Sequence, residues 1–157
     1  MAGKKMTLGP TGQAVRDNIQ RLREAQHLTF AELSRRLEAV GNPIPPLGLR
    51  RIEAGERKVD VDDLAALAVV LGTVPNYLLM PATNTGNEDA TVTGMKTVSA
   101  FEVWQWLTKA TIPETYAEPY GSDQALEKLT RSLPAWHLDA LLDDIKKYSE
   151  ELSRGDH

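Results

Sequence analysis

The first 80 residues alternate stretches of helical apolar spacing with short polar breaks, and this pattern predicts five helices. Over residues 11–28, Val15, Ile19, Leu22 and Ala25 recur at helical intervals, while Arg16, Asp17, Arg21 and Glu24 fill the other face. After His27 and Leu28, Thr29 and Glu32 stand three apart at the head of a second apolar run. They fit a capping box, in which each side chain satisfies a free backbone N–H at a helix start. The second helix is expected to run to about Val40. Gly41, Asn42 and Pro43 stop it, because Gly and Asn tolerate the left-handed conformation and Pro cannot extend a helix. A short third helix is expected within residues 45–55, opening on prolines tolerated in a first turn and closing at Gly55. Asp60 can cap a fourth, in which Leu64, Leu67, Ala68 and Leu71 stand at i, i+3, i+4 and i+7 before Gly72. A small fifth helix runs from Pro75 through Leu79, with Val74, Tyr77, Leu78 and Leu79 closing the core, and Pro81 ends it.

Beyond Pro81 the pattern changes. Residues 82–94 contain almost no large apolar side chain and read as a linker, separating a domain at 11–81 from a helical region at 95–157. Val98, Phe101, Val103, Trp104, Trp106 and Leu107 are dense enough to bury something, as a short helix starting after Ser99. A helical piece with Ala125, Leu126 and Leu129 follows Gly121-Ser122-Asp123. Pro134 then opens a longer helix whose Leu138, Leu141, Leu142, Ile145, Tyr148 and Leu152 form one apolar stripe. That stripe needs a partner, either the tryptophan segment or its twin in a second chain, and two heptads are short for an independent coiled coil. The fold class read from the pattern is all-α.

Composition narrows the function classes. The 157 residues are 41% hydrophobic and 25% charged, which suits one or two small soluble domains. Zero cysteines exclude disulfides, thiolate zinc sites, iron–sulfur clusters and a Cys nucleophile. No apolar run approaches the ~20 residues of a membrane span, and residues 1–10 hold no signal-peptide apolar stretch, so a cytoplasmic protein without membrane contact is expected. The net charge of -4 argues superficially against a polyanionic partner, but it hides a split. Residues 1–58 carry 11 Lys or Arg against 6 Asp or Glu, and residues 59–157 carry 7 against 16. A basic module that meets a polyanion and an acidic remainder held away from it would give this asymmetry.

Within the basic module the third helix stands out. At about 100° per residue, inward-facing Leu49 and Ile52 leave Leu47, Arg50, Arg51 and Ala54 pointing away from the core. Paired arginines on the exposed face of a short helix fit a recognition helix in a major groove.

Five ordered segments carry a resemblance: Leu22-Arg23, Leu28-Thr29, Glu32-Leu33-Ser34, Arg51-Ile52-Glu53-Ala54-Gly55-Glu56-Arg57, and Leu71-Gly72 followed by Leu78-Leu79. Through them, residues 11–80 resemble the Xre or lambda-repressor-like helix-turn-helix DNA-binding domains, and within these a group of actinobacterial transcriptional regulators. The resemblance implies a five-helix DNA-binding domain followed by a small helical C-terminal region. It implies that Thr29 donates to a phosphate at the start of the second helix, with Arg57 and Lys58 holding the same strand. Bases would be read from Pro46, Leu47, Gly48 and Arg51, with Arg50 alongside. Arg51 is the expected direct reader, since a guanidinium can engage guanine O6 and N7 together, worth ~1–3 kcal/mol of discrimination. The sequence departs from the family in its apolar Leu47, in Phe30 where a Gln is frequent, and in a connection between helices two and three (38–45) about four residues longer than usual. The resemblance further implies an inward ion pair between Arg23 and Glu53, structural rather than functional.

Other candidates have plainer readings. Arg35 and Arg36 suit a solvated face. His27, His137 and His157 lack metal-ligand spacing, and Asp60, Asp62 and Asp63 lack the glycine and later glutamate of a calcium loop. Trp104 and Trp106 with Tyr116 and Tyr120 can line a ligand pocket, but more often such residues close a minor core or an interface. No catalytic constellation or cofactor fingerprint is visible, so neither an enzyme nor a cofactor is expected. The expected function is a sequence-specific transcriptional regulator with double-stranded DNA as partner, homodimeric because two linked short helices read more than one. The alternative is a protein-interaction module, antitoxin-like or an adaptor, that holds a protein partner through Leu47, Phe30 and the C-terminal aromatics.

Overall fold

The computed structural model of the protein describes residues 7–109 and, beyond them, Leu133, Pro134, His137, Asp139, Asp143, Lys146 and Lys147. Its elements are α1 (Pro10–Ala25), α2 (Phe30–Ala39), α3 (Pro46–Glu53), α4 (Val61–Val70), α5 (Pro75–Leu79), β1 (Asp89–Ala90), β2 (Val98–Ser99) and α6 (Ala100–Lys109). The described residues are thus mostly helical, in keeping with the all-α class. None of their helices is long and apolar enough to cross a membrane. The helical piece expected around Leu126 and the apolar stripe from Leu138 to Leu152 lie outside the described residues, as do Tyr116, Tyr120 and His157.

Local chemistry sets the boundaries. Pro10, Pro46 and Pro75 open their helices in the first turn, where a missing N–H costs nothing. Asp60 caps α4 by accepting from the Asp63 N–H at 2.8 Å, and Thr29 caps α2 by accepting from the Glu32 N–H at 3.1 Å. The reciprocal half of the box at Thr29 is missing, because the Glu32 carboxylate turns to Arg35 and Arg36 on the next turn. A complete box forms instead at the start of α6. There the Ser99 N–H and Oγ donate to Glu102 at 3.0 and 2.7 Å, and the Glu102 N–H returns to Ser99 Oγ at 3.3 Å. The Ser99 hydroxyl, then its N–H, hold the Glu102 carboxyl below the ordinary glutamate range. α1 stops three residues short of the expected Leu28. His27 adopts a left-handed φ of 54°, and the N–H groups of His27 and Leu28 fold back to the carbonyls of Glu24 and Arg23.

α1 packs on α5 and α3, α2 on α3 and α4, and α4 on α5. Between them lies a core that includes Ile19, Leu33, Leu37, Leu49, Ile52, Leu67 and Leu78. A second, smaller core gathers Ala90, Val92, Val98, Ala100 and Val103, with Met80, Met95 and Leu107 against it. Residues 82–94, expected as a linker, therefore carry β1 and two buried side chains. Ala90 and Val92 alternate at strand spacing, a small-residue signal that a search for bulky apolar groups passes over. β1 pairs with β2 antiparallel, Asp89 opposite Ser99 and Ala90 opposite Val98. α6 starts after Ser99, as expected. Its inward face is Ala100, Val103 and Leu107, so Phe101, Trp104 and Trp106 stand outside at 51%, 42% and 39% exposure rather than closing this core. The rings of Phe101 and Trp104 stack at 5.9 Å. The two cores are tied by Asn76 Nδ2 donating to the Leu107 carbonyl at 2.5 Å, and by the Thr93 N–H donating to Thr11 Oγ1 at 2.8 Å.

Candidate functional site

The site assembles around α3. Its two buried side chains, Leu49 and Ile52, are each 1% exposed and fix the rotation of the helix. Helical geometry then places Pro46, Leu47, Arg50, Arg51 and Ala54 along one outer arc, and all five are exposed. The approach to α3 is pinned as well. Ile44 is buried in the long connection, and Ser34 Oγ on α2 donates to its carbonyl at 2.7 Å. Because α2 runs on to Ala39, the connection spans 40–45.

One edge of the arc rests on a charged stack. Arg23 on α1 donates to both carboxylate oxygens of Glu53 on α3, at 2.6 and 2.8 Å, and to the Leu28 carbonyl at 3.0 Å. The Glu53 hydrogen bond pushes the Arg23 guanidinium further up from its already basic value, while burial works against it. Two guanidinium groups approach the Phe30 ring, with Arg23 4.4 Å and Arg50 5.5 Å from its centroid. Each such contact is worth roughly 0.5–1 kcal/mol at a partly exposed site. Phe30, distinctive in the sequence only as an apolar departure, here gives both cations, one from α1 and one from α3, a common aromatic contact at the start of α2.

The other edge is built on Gly48 and Arg57. Arg57 donates to Asp63 Oδ2 at 2.7 Å, and Asn42 from the connection donates to Asp63 Oδ1 at 3.0 Å. A Cβ on Gly48 would stand 2.8 Å from Arg57 Nη1 and 3.1 Å from Ile44 Cγ2. Gly48, expected to face a base, is thus half-buried and leaves the space that Arg57 fills. The Arg57 guanidinium, expected at a phosphate with Lys58, is engaged by the nearly buried Asp63 carboxylate. Lys58 and Arg51 are exposed, and neither side chain has a hydrogen-bonding or ionic partner among the described residues.

The structure therefore brings Phe30 and Arg50 together on one side, with Pro46 next to Arg50 on the arc, and Gly48 and Arg57 on the other, with Leu47 and Arg51 between them and Thr29 at the adjoining start of α2. Arg35 and Arg36 lie apart from this arc, paired with Glu32, and Arg36 also reaches toward the Val70 carbonyl. Asn42, Ile44 and Asp63 are the supporting residues that sequence reasoning passes over. Asp63 is legible as part of an acidic first turn, but its partners are not. Comparison with known proteins finds no matching family model, curated protein or solved structure.

Proposed function

We propose that the protein is a sequence-specific DNA-binding transcriptional regulator of the Xre type. Residues 11–81 would form a lambda-repressor-like helix-turn-helix domain whose α3 lies in the major groove. The observation that carries this reading is the outer arc of α3, where the exposed Arg51 side chain, on a helix seated by buried Leu49 and Ile52, has no hydrogen-bonding or ionic partner among the described residues. In this reading Arg51 engages a guanine edge, Leu47 touches a thymine methyl, and Arg50, resting near the Phe30 ring, reaches the flanking backbone. Thr29 and Lys58 contact phosphates. Arg57 acts mainly by seating α3, because reaching a phosphate would draw its guanidinium from Asp63. A homodimer, joined through residues 95–157, would present two such helices to an operator and act by occupying it.

Selection of bound sequences from a random duplex pool, followed by band shifts on the selected site, tests this. Specific binding that weakens with salt is expected, as is an Arg51→Ala variant that keeps its circular dichroism and loses about tenfold or more in discrimination, the worth of one bidentate contact. No retained DNA at low salt overturns the reading. Leu47, at 59% exposure an apolar side chain at the tip of α3, favours the adaptor alternative in that event. A stable protein complex sensitive to Leu47→Ser would then establish it.

A further inference from the structure

A cleft of about 550 Å³ opens where the start of α1, the connection between α3 and α4, and Thr93 converge. Its volume lies within the ordinary range for small-ligand sites. Val15 and Ile52, both core residues, form part of its lining, with Val59, Leu64 and Leu79 beside them and Val61, 79% exposed, among the outermost. The rim is built rather than accidental. Thr11 and Thr93 exchange backbone-to-hydroxyl hydrogen bonds at 2.8 and 3.4 Å, and a Cβ on Gly9 would stand only 2.9 Å from Thr93 Oγ1. Such an apolar recess kept open to water forgoes roughly 25 cal/mol for every Å² left unburied.

The charged lining is lopsided. It comprises Arg16, Arg57 and Lys58 against Asp60 alone. Asp60 is occupied in capping α4, and Arg57 is bound to Asp63. Arg16 gives Nε and Nη2 to Asp17, which leaves Nη1, and Lys58 has no partner among the described residues. The cleft thus offers an apolar lining and two cationic groups with donors to spare, complementary to one negative head on a hydrocarbon body. We propose that this cleft is a binding site for a small amphipathic carboxylate, its chain against Val15, Ile52 and Leu64 and its carboxylate at Arg16 and Lys58. The site stands whether or not the chain binds DNA.

Methyl-labelled full-length protein titrated with decanoate, and separately with decanol, tests it. Saturable shifts are expected at the methyls of Val15, Ile52, Val59 and Leu64, with decanol at least about tenfold weaker for want of the charge-assisted hydrogen bonds. The Arg16→Gln/Lys58→Gln double variant, surface changes that spare the core, is expected to bring decanoate down to the decanol level. Leu64→Phe, which fills the recess, is expected to weaken both ligands, with thermal unfolding curves checking that the fold persists. Absence of saturable shifts at these methyls, equal binding of the two ligands, or a double variant that binds decanoate unchanged would each overturn the proposal.

Discussion

Asn18 shows how much a single uncharged side chain can hold in place. It is 2% exposed, its amide donates to the carbonyls of Tyr77, Leu78 and Met80 at 3.2, 3.0 and 2.8 Å, and its Oδ1 accepts from Arg21 at 3.0 Å. These carbonyls are the open C-terminal end of α5, so one residue of α1 supplies a cap for a helix about 60 residues further on. Asn18→Ala is expected to destabilise the protein by about 2–3 kcal/mol in urea unfolding, since it strands buried acceptors. Asn18→Asp should cost more, because it replaces a donor with a charge facing three carbonyl oxygens. Half of this was legible. Positions 15, 18, 19 and 22 fall on one helical stripe, so a polar residue on the inward face is visible in the sequence. Its acceptors are not, because nothing local to residue 18 specifies what packs against it. Arg23 and Glu53 differ only because a family resemblance had already joined them.

At the scale of elements, α3 is the best test of how sequence rules and packing divide the work. Its prolines, its closing Gly55 and its inward Leu49 and Ile52 all follow from local rules, and they appear where those rules put them. Gly48 does not follow, since helix propensity favours Ala there by about 1 kcal/mol. The methyl of an alanine at this position, however, would press on Arg57 and Ile44, and Arg57 is the link from α3 to α4 through Asp63. Gly48→Ala is therefore expected to give no net gain in stability, whereas in an Arg57→Ala background the same change should recover about 0.5–1 kcal/mol; a double-mutant cycle in urea reads the difference. α6 offers a pH test. The Glu102 carboxyl titrates lower in the folded protein than in the unfolded chain, so its capping contribution is complete above the ordinary glutamate range and fades as pH falls through the lowered folded value. Amide exchange in the first turn of α6 is expected to lose protection at acid pH, beyond the intrinsic pH dependence of exchange, before α2 and α4 do. Glu102→Gln should remove that dependence, and α6 and α4 losing protection together would contradict it.

For the whole molecule the question is whether two cores make one cooperative unit. The larger is closed by five helices, and its pattern of bulky apolar residues made it readable in advance. The smaller rests on alanines and valines around a two-residue ribbon, a composition whose burial depends on what it docks against, which is why the sequence of residues 82–94 by itself reads as a linker. A ribbon of this size is not stable by itself, and among the described residues the smaller core leans on the larger through Met80, Asn76 and the Thr11–Thr93 pair. Such an arrangement is expected to open in two steps, the smaller core first, because releasing it exposes only a few of the described side chains while the larger stays closed. Val103 is wholly buried at its centre. Removing two methyl groups by Val103→Ala is expected to lower the opening free energy of β2 and α6, read by native-state hydrogen exchange, by about 2 kcal/mol, while the amides around Leu33 and Leu67 keep theirs. Equal loss of protection in both cores would mean that they unfold together. The basic arc of α3 would then be held in place partly by β1, β2 and α6, and any change at α6 would reach Arg51 through the stability of the whole fold.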